Sequence, residues 1–113
     1  MKTSNSGPKK LQNAATANGD GVSLLLDSYS HVLVQISGTF TANIYFEITL
    51  DNGTWYEIAA TDISSTSANT KVKTLNAPGI FAVELIGGAT YFRARIGSYS
   101  NGSVTVIANA HGG

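Results

Sequence analysis

Apolar and polar residues alternate with a period of two along most of the chain, and no stretch sustains the period near 3.6 that a helix needs. The most regular stretch is residues 31–55. Val32, Val34 and Ile36 share one face, with Leu33, Gln35 and Ser37 on the other; after Gly38 a second run sets Ile44, Phe46, Ile48 and Leu50 against Asn43, Tyr45, Glu47 and Thr49. Gly38 supplies backbone freedom for a bend or bulge between the two runs. Asp51-Asn52-Gly53 predicts a tight two-residue hairpin loop, because Asn-Gly tolerates positive φ. Residues 54–60 then return antiparallel, with Trp55 and Tyr56 on opposite faces.

The same reading covers the rest of the chain. Asn18-Gly19-Asp20-Gly21 predicts a turn, followed by a short strand over residues 22–27. Leu24, Leu25 and Leu26 cannot all face one side of it, so either both faces are covered or one leucine meets a partner chain. Residues 70–75 predict a strand with Lys71 and Lys73 on one exposed face, and residues 80–86 a strand with Phe81, Val83 and Leu85 on one side. In residues 91–97, Phe92, Ala94 and Ile96 point inward while Tyr91, Arg93 and Arg95 point out. After a turn at Asn101-Gly102, residues 103–110 form the last strand, with Val104, Val106 and Ala108 together.

About eight short strands separated by regular turn signals predict an all-β fold with almost no helix, an antiparallel β-sandwich of jelly-roll or Greek-key type. The expected inward set is Leu24, Val32, Val34, Ile36, Phe46, Ile48, Trp55, Ile58, Val83, Leu85, Phe92, Ile96, Val104 and Val106. Residues 1–10 read as a flexible arm, 11–110 as the sandwich domain and 111–113 as an unstructured tail. Residues 11–17 read as an edge strand or an extended lead-in.

Composition narrows the function. The chain has 113 residues, no cysteine, and only 12% charged residues, with seven basic and seven acidic side chains. That balance argues against nucleic acid as the main partner, since phosphate binding needs a local excess of Lys and Arg. No apolar run approaches a membrane span, and no apolar segment follows the N-terminal lysines as in a secretory signal, so a protein made in the cytoplasm is expected.

Little in the sequence points to chemistry. The two histidines, His31 at a strand head and His111 in the tail, sit in no nucleophile motif and have no ligand spacing. Glu47 and Glu57 come close across the hairpin as a glycosidase pair would, but carboxylates on a sheet face pair more readily with a cross-strand base, here Arg93 or Arg95. Asp20 or Asp51 offers too few oxygens for a convincing calcium loop, and Gly87-Gly88 lacks the context of a phosphate loop. No enzyme activity, metal or cofactor is therefore expected. A stacking platform for sugar rings, drawn from Trp55, Tyr56, Tyr45, Tyr91 and Tyr99 with Trp55 and Tyr56 as the first contacts, is the stronger alternative.

The lead-in Asn13-Ala14-Ala15, the bend Gln35-Ile36-Ser37-Gly38-Thr39-Phe40 and the hairpin Asp51-Asn52-Gly53-Thr54-Trp55 resemble a group of small β-sandwich proteins encoded in the structural gene blocks of tailed bacteriophages. Ala77-Pro78-Gly79 and the Arg93-x-Arg95 strand are similar to that group as well. The resemblance implies a virion structural protein, in the first place a capsid decoration or cement protein bound to the phage major capsid protein. A tail or baseplate accessory bound to a tail protein is the alternative. The low charge and the apolar strand edges suit packing against copies of itself, so a homo-oligomer is expected, with a trimer as the first expectation. The expected contact residues are Lys9 and Lys10 on the arm, Leu25, and Lys71, Lys73, Arg93 and Arg95 on exposed strand faces; for each, a solvated surface residue is the alternative.

Overall fold

The computed structural model describes residues 6–27, 29–64, 70–85 and 89–112. Among these residues there is no helix, and the chain forms eleven strands. They are β1 (Lys9–Ala15), β2 (Leu24–Leu25), β3 (His31–Ser37), β4 (Phe40–Thr49), β5 (Trp55–Ile58), β6 (Ala60–Asp62), β7 (Thr70–Val72), β8 (Thr74–Leu75), β9 (Gly79–Glu84), β10 (Tyr91–Gly102) and β11 (Val104–His111).

Two antiparallel sheets pack as a sandwich. One has the order β1-β11-β3-β9-β6-β7, the other β2-β10-β4-β5 with β8 also paired to β4. Setting aside β6 to β8, the two four-strand orders 1-11-3-9 and 2-10-4-5 are those of a jelly roll. The count exceeds eight because two predicted strands each change sheet midway. The run 54–60 splits at Ala59 into β5 and β6, and the run 70–75 splits at Lys73 into β7 and β8. At Ala59 the alternation continues, with Ile58 and Ala60 both inward, so it cannot reveal the crossing; at Lys73 it slips by one residue, since Val72 and Leu75 both pack on the core.

The bend at Gly38 takes the chain from one sheet to the other. Its φ is +110°, and a Cβ there would run into the Ser103 carbonyl oxygen. A second crossing lies against it, at the junction of β10 and β11. Gly102 has φ +90°, a Cβ there would meet the Thr39 carbonyl, and the Ser103 N–H donates to that same carbonyl at 2.9 Å. Asn101-Gly102 is thus not a hairpin turn: both residues belong to β10 and pair with Thr41 and Phe40.

The core joins the two inner faces. Phe46 of β4 is fully buried and lies edge-on to Phe81 of β9 at 6.2 Å, and 5.4 Å from Phe92 of β10, so aromatic contacts bridge the sheets. Leu24, Val32, Val34, Ile36, Val83, Ile96, Val104 and Val106 are buried as the alternation requires. Ile48, Ile58 and Leu85 are only half-buried against this core. Trp55 is a correction, because its register opposite Thr49 puts it on the outer face of its sheet.

Described residues near both ends of the chain pair with the six-stranded sheet. Lys9 and Lys10 belong to β1, an edge strand paired with β11, and Ser6 exchanges hydrogen bonds with the Ala110 backbone at 2.7 and 2.9 Å. Residues 1–5 of the expected arm lie outside the described residues. His111 is not a loose tail: it closes β11 opposite His31. The predicted strand over residues 22–27 contracts to Leu24–Leu25; Leu24 and Leu26 are buried and Leu25 is exposed. Ile86 and the Gly87-Gly88 turn lie outside the described residues.

Candidate functional site

The outer face of the five-stranded sheet carries a network of ion-paired side chains. Its register is set by the hairpin of β4 and β5. That hairpin closes through residues 50–54, not through two residues. Asn52 takes φ +60°, and one oxygen of Asp51 accepts the Gly53 and Thr54 N–H groups, both at 2.8 Å, and the Thr49 hydroxyl at 3.1 Å. These donors favour the ionised carboxylate, the backbone bonds of Thr54 and Gly53 most, and hold the Asp51 pKa below its ordinary value.

This register sets Glu47 opposite both Arg93 of β10 and Glu57 of β5. Glu47 Oε1 accepts from Arg93 Nε at 2.8 Å, and its Oε2 accepts from Arg95 Nε at 3.0 Å. Arg95 Nη2 reaches Glu57 at 3.3 Å, and Arg93 Nη1 reaches Asp20 at 3.3 Å. Two guanidinium groups thus serve three carboxylates, and Glu47 is buried at 5% exposure beneath them. Each guanidinium also stacks on a ring: Arg93 lies 4.1 Å from the Trp55 centroid and Arg95 4.5 Å from that of Tyr45. Gly97 leaves room for the second stack, since a Cβ there would come within 3.1 Å of the Tyr45 ring and 3.3 Å of Arg95 Nη1.

A stitched loop delivers Asp20. Gly19 pairs with Ile96 of β10, Gln12 Nε2 donates to the Gly19 and Ala94 carbonyls at 3.2 and 2.8 Å, and Asn18 Oδ1 accepts the Tyr99 N–H at 2.8 Å. Gly21 sits at φ +68° where a Cβ would run into the Leu11 carbonyl.

Arg93 and Arg95 do point away from the core, but their expected role as exposed contacts needs correcting: their side chains are 15% and 31% exposed and engaged in this network. Their pairing with Glu47 and Glu57 is the cross-strand arrangement expected of those carboxylates. Trp55 and Tyr56 do not form one platform. Trp55 lies under Arg93, while Tyr56 lies opposite Ile48 and stands exposed beside Leu50 at a cleft of about 470 Å³ at the end of the sandwich.

The remaining expected contacts are scattered. Leu25 lies opposite Tyr91 at the β2 edge, and Lys9 donates to the Ser23 carbonyl at 3.1 Å. Lys10 and Lys71 lie opposite Ile107 and Thr61 on the outer face of the six-stranded sheet, and Lys73 is exposed where the chain changes sheets. Tyr45 was expected only as one of several platform aromatics, and its place under Arg95 was missed by the sequence reading. Its signal was the spacing Tyr45-x-Glu47 on one strand, Arg93-x-Arg95 on the next and Trp55-x-Glu57 on the third, three pairs that an antiparallel register stacks on one face.

Similar folds are found in two solved structures. The SPBc2 prophage-derived protein YomS aligns with a TM-score of 0.83 and 17% identity, over 99% of this chain and 96% of that one. The PBSX exported protein XepA aligns with a TM-score of 0.87 and 19% identity, but this chain spans only 39% of its length. No curated protein sequence gives a significant match. The XepA family model matches residues 9–110, nearly the whole sandwich, and on that match the chain belongs to the XepA family.

Proposed function

We propose that this chain is a non-enzymatic phage structural protein that binds a repeated protein surface, in the first place as a decoration or cement protein on the head lattice. The reading rests on the outer face of the six-stranded sheet. Leu33 at its centre is 41% exposed, and Ile80, Ala82 and Ile107 surround it with Gln35, Thr61 and Asn109 between them. Such a sheet face, apolar at its centre and polar around it, suits contact with protein better than enclosure of a small ligand. The phage setting is supported by the prophage origin given for YomS and by the phage name attached to XepA.

The phage major capsid protein is the expected partner, with a tail protein as the alternative. Repetition supplies the strength: self-association of this chain presents several modest contacts to a symmetric lattice at once. Co-sedimentation with purified capsids and with tails tests the reading, together with light scattering for the copy number. The protein is expected to pellet with heads, and Leu33→Asp to stay in the supernatant while keeping its fold. Equal pelleting of Leu33→Asp would remove this face from the binding.

A second reading has its own support, since the relative with the TM-score of 0.87 is described as exported. In it the protein works outside the cell, apart from the particle. Fractionation of an induced culture separates the two: recovery with particles supports the first, and recovery in particle-free medium the second.

A further inference from the structure

His31 opens β3 and His111 closes β11, and the register sets them directly opposite each other. Their rings stack with centroids 5.3 Å apart and 12° between planes. Glu84 of β9 takes the next place in the same row, opposite His31. His31 Nδ1 lies 2.8 Å from Ser30 Oγ, and Gly112 passes so close that a Cβ there would come within 2.6 Å of that hydroxyl. His31 is half-buried and His111 exposed, both on the outer face of the six-stranded sheet.

We propose that His31 and His111 form a two-imidazole site for a divalent transition metal of the zinc, copper and nickel class. Imidazole nitrogen suits these ions, whereas magnesium and calcium favour oxygen. Residues directly opposite on antiparallel strands have Cβ atoms about 4.5–5.5 Å apart, a separation from which two imidazoles can meet at one ion. Stacked rings aim their in-plane lone pairs side by side, so one ring must turn, and the exposed His111 is the one with room to do so. His31 is already oriented. In the tautomer whose Nδ1–H donates to Ser30 Oγ, its Nε2 keeps a free lone pair, and a ligating histidine commonly uses its second nitrogen in this way. Water completes the coordination, and the Glu84 carboxylate adds negative charge one strand away.

The test uses the full chain made without a histidine tag, titrated calorimetrically with Ni²⁺ at neutral pH, with Mg²⁺ as the comparison ion. A single ion per chain is expected to bind, with His31→Gln and His111→Gln each weakening it at least about tenfold, and with no binding of Mg²⁺. Unchanged Ni²⁺ affinity in either variant overturns the proposal, as does equal binding of Mg²⁺. A variant that fails to fold is replaced by NMR of the unaltered protein with Zn²⁺. Ring signals of both histidines must then shift together, and movement of His111 alone overturns the two-imidazole site.

Discussion

Arg95 bridges Glu47 and Glu57, two carboxylates that the β4–β5 register places directly opposite each other. Like charges facing across a strand pair destabilise a sheet, so the guanidinium removes a conflict that the hairpin itself creates. Arg93 holds the other oxygen of Glu47 and is the more buried of the two arginines. Arg93→Met is therefore expected to cost about 3 kcal/mol, because it leaves the buried carboxylate short of a partner. Arg95→Met is expected to cost about 1 kcal/mol, and Glu57→Gln, at the exposed end, less than about 0.5 kcal/mol. Urea denaturation of the three variants measures the order, and equal costs for Arg93→Met and Glu57→Gln would contradict it.

Trp55 is the sole tryptophan, so its fluorescence reports on a single environment. The Arg93 guanidinium covers one side of the ring at 4.1 Å. Arg93→Ala removes that cover, and acrylamide should then quench the emission more steeply than in the unaltered protein. An unchanged quenching slope would show that the ring is shielded by something else.

The two sheet crossings at Gly38 and Gly102 admit no side chain, because each backbone has positive φ and a Cβ would strike the opposite crossing. Gly38→Ala and Gly102→Ala should each destabilise the fold by about 2 kcal/mol or more through backbone strain and forced displacement. Gly19→Ala is the control, since φ is not positive there and a Cβ would meet nothing within 4 Å. Thermal unfolding should lower the midpoint for the first two and spare the third.

Asp51 links the hairpin to pH. Its folded pKa lies below the ordinary 3.8, so the ionised form's contribution is fully present above that value and is lost as pH falls through the lower folded value. NMR titration into acid should show the Gly53 and Thr54 amide signals moving together below pH 3.8, and Asp51→Asn should abolish that movement. Signals that move at the ordinary carboxylate pKa would place the Asp51 hydrogen bonds outside the folded hairpin.

Much of the fold was legible in the alternation itself. Val32, Val34 and Ile36, or Val104, Val106 and Ala108, share a face at any register, and a half-buried sheet needs only that. The sheet crossing at Ala59 was not legible, because Ile58 and Ala60 keep the alternation unbroken, and the one at Lys73 is marked only by a one-residue slip between Val72 and Leu75, which reads equally well as the end of a strand. Trp55 was misplaced for a related reason: the pattern separates it from Tyr56, but only the pairing with Thr49 puts Trp55 on the outer face, and Tyr56 on the other face is itself exposed.

The sequence by itself determined the all-β class, the main inward residues and the place, though not the length, of the β4–β5 hairpin, since all three follow from contacts and turn chemistry local to the chain. The cross-strand pairing of Glu47 and Glu57 with Arg93 or Arg95 was also expected; tertiary structure alone decided its burial and the remaining partners. Arg93 and Arg95 became the cover of Glu47 rather than free surface charges, and His31 met His111 from the other end of the chain. Those contacts depend on which strands lie side by side. Strand order in a jelly roll is settled by burial of two whole faces at once, a condition that no local stretch can express.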